Sequence, residues 1–586
     1  MKKLYLILLF ALLSSATLFA GEPWRPSSIA MRDNGNLIIA NRAVRELCEV
    51  TAQGQIVKNI SLPNNPNHLV TLEDKAYATC FDDNLKNSLL IVDLGSGAVE
   101  EIALDKCQGL SGIAISKDEK SLYLASQFQG TVSEFNIEKK QVLRSAKVLR
   151  EPTSIVPSAC GNYLFVTNFI PAERADLDFI SSDVSVIDLT TFSHIKDIKL
   201  ENGSNALHGA ALSADGKYLF VSHNLGRYTV PTSQLLQGWM NTSAVSVVDT
   251  QSQEFVGSII VDDVERGAAG TWGIVCDDEK MYVSHSGVHE ISVIDYKKMI
   301  EKFEAYSPKS SLAYDLRFLY GIRERIALEG NGPRDFIVDK GVAYVPMYFS
   351  DHLNIYDSKA KSLQSHLLNA DFAESDINKG ERIFNDATYC FQNWQSCNGC
   401  HPGDGRSDGM NWDLMNDGVG NSKNCKSLLL SMQTPPSMIS GIRESAALAN
   451  RKGFTHIQFH EISEQEALYV DAYSTALKAV PSPYLVNGEL SELAKEGRKV
   501  YEKYKCDDCH SGAYYTDLQM YVIGDDVEFE NGWDTPTLIE VWRTAPYLFD
   551  GRAYTLDEVF GVHKHGIDKK ISKKDLDALV EYVNSL

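Results

Sequence analysis

The sequence predicts a chain in two parts, a seven-bladed β-propeller followed by a mainly α-helical domain of two lobes. Three observations carry this expectation: a hydrophobic strand that recurs seven times, a change of periodicity near residue 366, and two CxxCH motifs confined to the last third.

The recurring strand reads LIIAN (37–41), AYATC (76–80), LYLAS (122–126), LFVTN (164–168), LFVSH (219–223), MYVSH (281–285) and AYVPM (343–347). Each is followed by a second strand: LCEV, LLIVD, VSEFN, VSVID, VSVVD, ISVID and LNIYD. A period of about 40 to about 60 residues suits four-stranded propeller blades. One such sheet cannot bury both faces by itself, so the set closes into a ring and loses its open edges. The longer copies carry insertions, PAERADLDFISS and GRYTVPTSQLLQGWMNTS, where specificity is expected. Residues 21–365 are assigned to this part. The repeats resemble the YVTN propellers, which implies a fold and a binding surface and no activity. His208, His223, His285 and His289 fall at strand ends or in blade loops; they either face the channel as ligands or close blades through hydrogen bonds, the commoner role.

Ahead of the propeller, Lys2 and Lys3 precede LYLILLFALLSSATLFA, a run too short to favour a membrane span. Residues 1–20 are therefore expected to be a cleaved export signal, and the mature protein periplasmic and not integral to a membrane. The formal charge of −22 disfavours nucleic acid as a partner. It suits a small basic redox protein, or serves only solubility. No phosphate-binding loop, dinucleotide fingerprint or nucleophile elbow occurs.

Past LNIYDSKAKSLQSHLL the spacing turns helical. Ser375 can cap a helix through INKGERIF, and ELSELAKEGRKVYEKYK aligns Leu490, Leu493, Ala494, Gly497, Val500, Tyr501 and Tyr504 on one face. The chain ends on SKKDLDALVEYVNSL, with Ser572 and Asp575 in a capping pattern. The first lobe is placed at 366–486 and the second at 487–586.

Each lobe holds one motif, Cys397, Cys400 and His401 in CNGCH and Cys506, Cys509 and His510 in CDDCH. Two cysteines at this spacing can form thioethers to haem vinyl groups, and the following His then faces the iron. Zinc is the competing reading, but the gap between the motifs far exceeds that of a zinc ribbon. Two covalently bound haem c groups are expected. Of the other seven cysteines, Cys48, Cys80, Cys107, Cys160 and Cys276 sit in or near strands as free thiols, and Cys390 and Cys425 bracket the first motif as disulfide candidates.

The stretch DTPTLIEVWRTAPYLFDGRAYTLDEVFGVHKHG, with GERIFND and TPPSMISGIR upstream, resembles the bacterial di-haem cytochrome c peroxidases and the related MauG enzymes over about residues 374–586. The resemblance implies hydrogen peroxide reduction at the first haem with electrons relayed through the second. It places His563 as distal ligand of the second haem, with His565 as the replacement. It also implies a calcium ion held by the carbonyls of Thr544 and Pro546, and Glu461 beside His460 as acid/base. Ile539-Glu540 and Phe549 depart from the family pattern, and Trp412 and Trp542 are either electron relays or core residues. The expected function is thus a periplasmic di-haem oxidoreductase whose propeller docks a redox donor or a protein substrate. MauG-like oxidation of a partner protein and a non-enzymatic electron-transfer cytochrome are the alternatives. No sixth ligand for the first haem emerges, His456 and His460 being the candidates.

Overall fold

In the computed structural model, residues 21–229, 240–414, 422–523, 530–567 and 570–586 are described; the expected signal segment 1–20 lies outside them. Seven four-stranded antiparallel sheets follow one another from Pro26 to Leu367, each with its strands in chain order. The recurring motifs of the sequence are the second and third strands of each sheet. Leu37–Asn41 and Ser121–Ser126 are buried throughout, so they read as unbroken apolar runs. Fourth strands such as Val99–Ala103 and Ser193–Lys199 are largely exposed and polar.

Neighbouring sheets share cores. Ile38, Ala40 and Leu47 pack with Leu69, Ala76 and Leu90 of the next sheet, and the ring closes where Ile29, Leu37 and Ile39 meet Tyr344, Leu353 and Ile355 of the seventh. Near the axis, hydroxyls bridge one sheet to the next: Ser28 Oγ donates to Asp335 Oδ2 (2.7 Å), Ser111 Oγ to Pro152 O (2.9 Å) and Thr153 Oγ1 to Leu207 O (2.8 Å).

Two of the strand-end histidines are hydrogen-bonded within their own blades. His223 pairs through Nδ1 with Asn224 O and through Nε2 with Ser246 Oγ, both at 2.7 Å, and His285 Nε2 pairs with Ser292 Oγ at 2.7 Å. His208 stacks on Trp272, ring centroids 3.5 Å apart, and His289 Nε2 lies 3.3 Å from Asp386 Oδ2. Among the described residues no group of three His, Cys, Asp or Glu side chains could hold a metal ion.

The second part is built twice. Ser375 caps Asp376–Asn385, which crosses Glu464–Ala476 at Gly380, where a Cβ would stand 1.9 Å from Tyr469 O. Ser491 caps Glu492–Lys503, which crosses Lys573–Asn584 at Gly497, where a Cβ would stand 1.9 Å from Ala578 O. Both crossings therefore bring backbone against backbone. Between them each half repeats a two-residue strand pair, Asn411–Trp412 with Lys423–Asn424 and Met520–Tyr521 with Trp533–Asp534. Each then closes a loop, Ser437 opposite Arg443 and Tyr547 opposite Ala553, before a short capped helix, Ala446–Gly453 or Leu556–Gly561. The mainly α-helical expectation needs correction: short helices are separated by long irregular segments that wall a cavity. Among the described residues no helix is long and apolar enough to cross a membrane.

This part sits on one face of the propeller. Arg25 pairs with Glu381, Gly267 N donates to Gln392 O (2.8 Å), and Ala387 N donates to Gly287 O (2.8 Å). The guanidinium of Arg150 donates to Arg543 O and Ala545 O, both at 2.6 Å, and Arg543 pairs with Glu151 at 3.2 Å. These propeller residues lie in connections leading into first strands or joining second to third strands, which share one rim of the ring.

Candidate functional site

A cavity of about 520 Å³ runs through the second part and is lined by Cys397, Cys400, His401, Cys506, Cys509 and His510 together with apolar side chains such as Phe454 and Phe560. Local structure presents the two motifs alike. Each opens on a single tight turn, Cys397–Gly399 or Cys506–Asp508, and the His backbone folds back onto the first Cys, His401 N to Cys397 O at 3.0 Å and His510 N to Cys506 O at 2.9 Å. His401 Nδ1 then donates to Arg406 O (3.2 Å) and His510 Nδ1 to Tyr515 O (3.1 Å). That bond fixes the tautomer and leaves Nε2 unprotonated, the form in which an imidazole can bind a metal.

Burial pushes His401 down to about 4 and lowers His510, so both imidazoles are neutral near pH 7. Burial likewise pushes Cys397 up to about 12 and Cys506 to about 11, and raises Cys400 well above the usual thiol range. All four motif cysteines are free of disulfides. Two thiols and one neutral imidazole per half, in a large and mostly apolar cavity, fit a covalently held metalloporphyrin; a bare ion would lack its remaining ligands.

Opposite His510 stands His565, ring centroids 6.3 Å apart. Two nitrogen–metal bonds of ~2 Å and ~1 Å from each nitrogen to its ring centre give about 6 Å, so the pair is spaced to hold one metal ion between them. His563 lines the same cavity two residues earlier. Around the first motif, His401 is the one imidazole that the first half contributes among the described lining residues. His456 is exposed, Glu461 is exposed, and His460 packs edge-on against Tyr389 at 5.3 Å; none of the three lines the cavity.

The remaining expected residues lie along the cavity and its surroundings. Thr544 and Pro546 line the cavity, with Thr544 Oγ1 donating to Val541 O (3.1 Å), while the carbonyls on either side of Thr544 receive the charge of Arg150. Trp412 Nε1 donates to Asp408 Oδ2 (2.8 Å), and Trp542 packs edge-on against Phe128 of the propeller at 5.5 Å. Cys390 and Cys425 are unpaired, because Cys425 Sγ turns to Cys400 O (3.1 Å) and His401 Nδ1 (3.6 Å).

Sequence reasoning missed two features. Glu540, noted only as a departure, is buried and accepts from Nε and Nη2 of Arg406 at 2.8 and 2.9 Å, tying the first motif to the second half. Its signal was a lone acid within the apolar run LIEVW. The other is a propeller hairpin, Tyr218–Gly226 with Asn241–Asp249, that brings Met240 to the cavity wall and Asn241 Nδ2 to 3.4 Å from Cys400 Sγ. The insertion after Gly226 was visible, but not what it reaches.

No family model matches the chain. Among characterised proteins it is similar to hydrazine synthase subunit gamma of Kuenenia stuttgartiensis, 26% identical over 273 residues covering 36% of this chain and 77% of that subunit. It is also similar to hydrazine synthase subunit beta of the same organism, 22% identical over 183 residues covering 30% of this chain and 47%, about half, of that subunit. A solved structure of Kuenenia stuttgartiensis hydrazine synthase matches 59% of this chain and 99% of its own, with a TM-score of 0.52 and 19% identity, a likeness of fold that agrees with the seven-bladed propeller.

These relatives overturn the expectation of a di-haem cytochrome c peroxidase or MauG enzyme. Peroxide as substrate, oxidation of a partner protein and the plain electron carrier fall with it. The physical reason is that TPTL to TAPY is scaffold: its closed loop recurs in the first half around TPPS, so the motif marks how a cavity is framed and not what reacts in it. The chain is similar to two different subunits of hydrazine synthase, an enzyme of another kind.

Proposed function

We propose that the chain is a site-bearing subunit of a hydrazine-forming enzyme, uniting in one polypeptide the counterparts of separate gamma and beta subunits. The observation that carries this reading is the double match, one chain to two subunits of one enzyme.

In this reading Cys397 and Cys400, and Cys506 and Cys509, hold two haem groups through thioethers, with His401 and His510 as proximal ligands. Bound haem supplies a redox-active iron. The protein's own contribution is to orient the imidazoles through Arg406 O and Tyr515 O and to keep water from an apolar cavity. His565 would supply a second protein ligand to a group held at the second motif, and among the described residues the first motif has no counterpart to it. Covalent haem attachment agrees with an exported, periplasmic protein.

The test is hydrazine output from the native complex purified on a tag carried by this chain, with covalent haem counted by mass spectrometry. Hydrazine formed by the complex and lost in Cys397→Ala/Cys400→Ala is expected. A chain that purifies alone with both haems and whose native extract makes no hydrazine overturns the reading.

A further inference from the structure

The wall of the first site is completed by the propeller. The strands of the fifth blade's central hairpin are nine residues long, where the middle strands of the other blades have five to seven. The extra pairs carry the ladder out to Gly226 opposite Asn241, and Arg227 N then donates to Met240 O at 2.6 Å. At that end Asn241 is anchored, its Nδ2 donating to Gln395 Oε1 (3.2 Å) and to Cys400 Sγ (3.4 Å). Met240 is buried beside Met410 and Trp412, and its Sδ takes one long polar contact, from Gln395 Nε2 at 3.6 Å.

Beside the main cavity lies a second void of about 10 Å³ whose lining includes Met240, Cys390, Phe391, Gln395 and Ile457. Met240, Gln395 and Ile457 line both spaces, so the seam between hairpin and first half is where the two adjoin. Phe391, 42% exposed, forms the outer side. A void of this size holds about one water-sized molecule. Its lining of aromatic rings, an aliphatic side chain, a thioether, a thiol and one amide penalises a charged species, which would lose its hydration without gaining a counter-ion. Met is unbranched and turns about three bonds, so its side chain can swing where a β-branched one could not.

We propose that this seam is the access route by which a neutral ligand of one or two heavy atoms reaches the first site, with Met240 as its gate. The inference rests on the reading of Cys397, Cys400 and His401 as a haem site. Its ligand class follows from the chemistry of hydrazine, whose N–N bond must be made from nitrogen compounds of about this size. The hairpin meets the cavity beside the first motif, where Asn241 Nδ2 stands 3.4 Å from Cys400 Sγ, so the route opens at the first site.

Carbon monoxide is the probe. Its association rate is measured by flash photolysis on the reduced full-length protein, with haem content counted separately. Met240→Trp is expected to slow association at least about tenfold and Met240→Ala to speed it several-fold, with the low-spin spectrum of the second site unchanged. If Met240→Trp disturbs that spectrum, Ile457→Phe narrows the void from its other wall and is expected to slow association likewise. Rates equal to the parent in all variants overturn the route and leave the haem site standing. A parent protein that carries both haems yet binds no carbon monoxide overturns the open first site and the route together.

Discussion

His565 can be separated from its neighbour His563 by one measurement on the oxidised protein. In the structure one site has two imidazoles, His510 and His565, spaced 6.3 Å between ring centres, and the other has His401 alone among the described lining residues. With both haems in place, the doubly liganded iron is low-spin and the singly liganded one high-spin, so low-spin signal is expected from half of the total haem. Removing His565 opens the second iron, and the low-spin fraction is expected to fall from about one half to near zero while covalent haem content stays at two. His563→Ala is expected to leave the ratio unchanged. Electron paramagnetic resonance with haem content by mass gives both numbers, and added imidazole is expected to restore the low-spin signal in His565→Ala. The reasoning is refuted if His563→Ala abolishes the low-spin signal and His565→Ala leaves it.

The other predictions concern the frame. Gly497→Ala puts a Cβ 1.9 Å from Ala578 O and 2.7 Å from Tyr582 Cβ, so the two helices must separate; a loss of about 3 kcal/mol, the upper end of overpacking, is expected in denaturant unfolding. Arg150→Met removes two charge-assisted bonds to Arg543 O and Ala545 O, expected to cost about 3 kcal/mol and to make the junction between the two parts cleavable in limited proteolysis. Burial pushes His223 down to about 4 from an ordinary value of 6.5, so the unfolded chain takes up a proton first as pH falls. The stability it contributes is complete above pH 6.5 and is lost between 6.5 and 4, on the order of 3 kcal/mol, and His223→Gln is expected to flatten that acid limb in urea titrations at a series of pH values.

What could be read from the sequence follows burial. The middle pair of every blade was legible because both faces are covered, which leaves an apolar run that no surface function interrupts. The outer strands were not, since Val99–Ala103 and Ser193–Lys199 carry charges and differ little from loops. Ser375, Ser491 and Ser572 each accept a backbone N–H three residues on, so those helix starts were fixed by local chemistry. The site was half legible. CxxCH is a local device whose turn and His orientation recur in both halves, whereas His565, Glu540 and Met240 act across distances that no spacing encodes. The peroxidase likeness failed for a related reason, because the residues that carried it build a loop, and loops of one shape can frame different chemistry.

A chain built of two parts needs a junction that fixes their mutual geometry, and the buried charges supply one. Arg406, which follows the first motif, pairs with Glu540; Glu540 lies 3.5 Å from Arg543; Arg543 pairs with Glu151 of the propeller. All four side chains are at most 8% exposed. Buried pairs of this kind add little net stability over apolar packing, but breaking one partner strands the other charge, so only one docked arrangement is tolerated. The carbonyl of Arg406 also accepts the hydrogen bond from Nδ1 that orients His401. A shift of the propeller by an ångström would therefore be felt at the first imidazole through three ion pairs, and at the cavity wall through Met240 and Asn241. The propeller is on this argument a part of the first site, and not a platform set beside it.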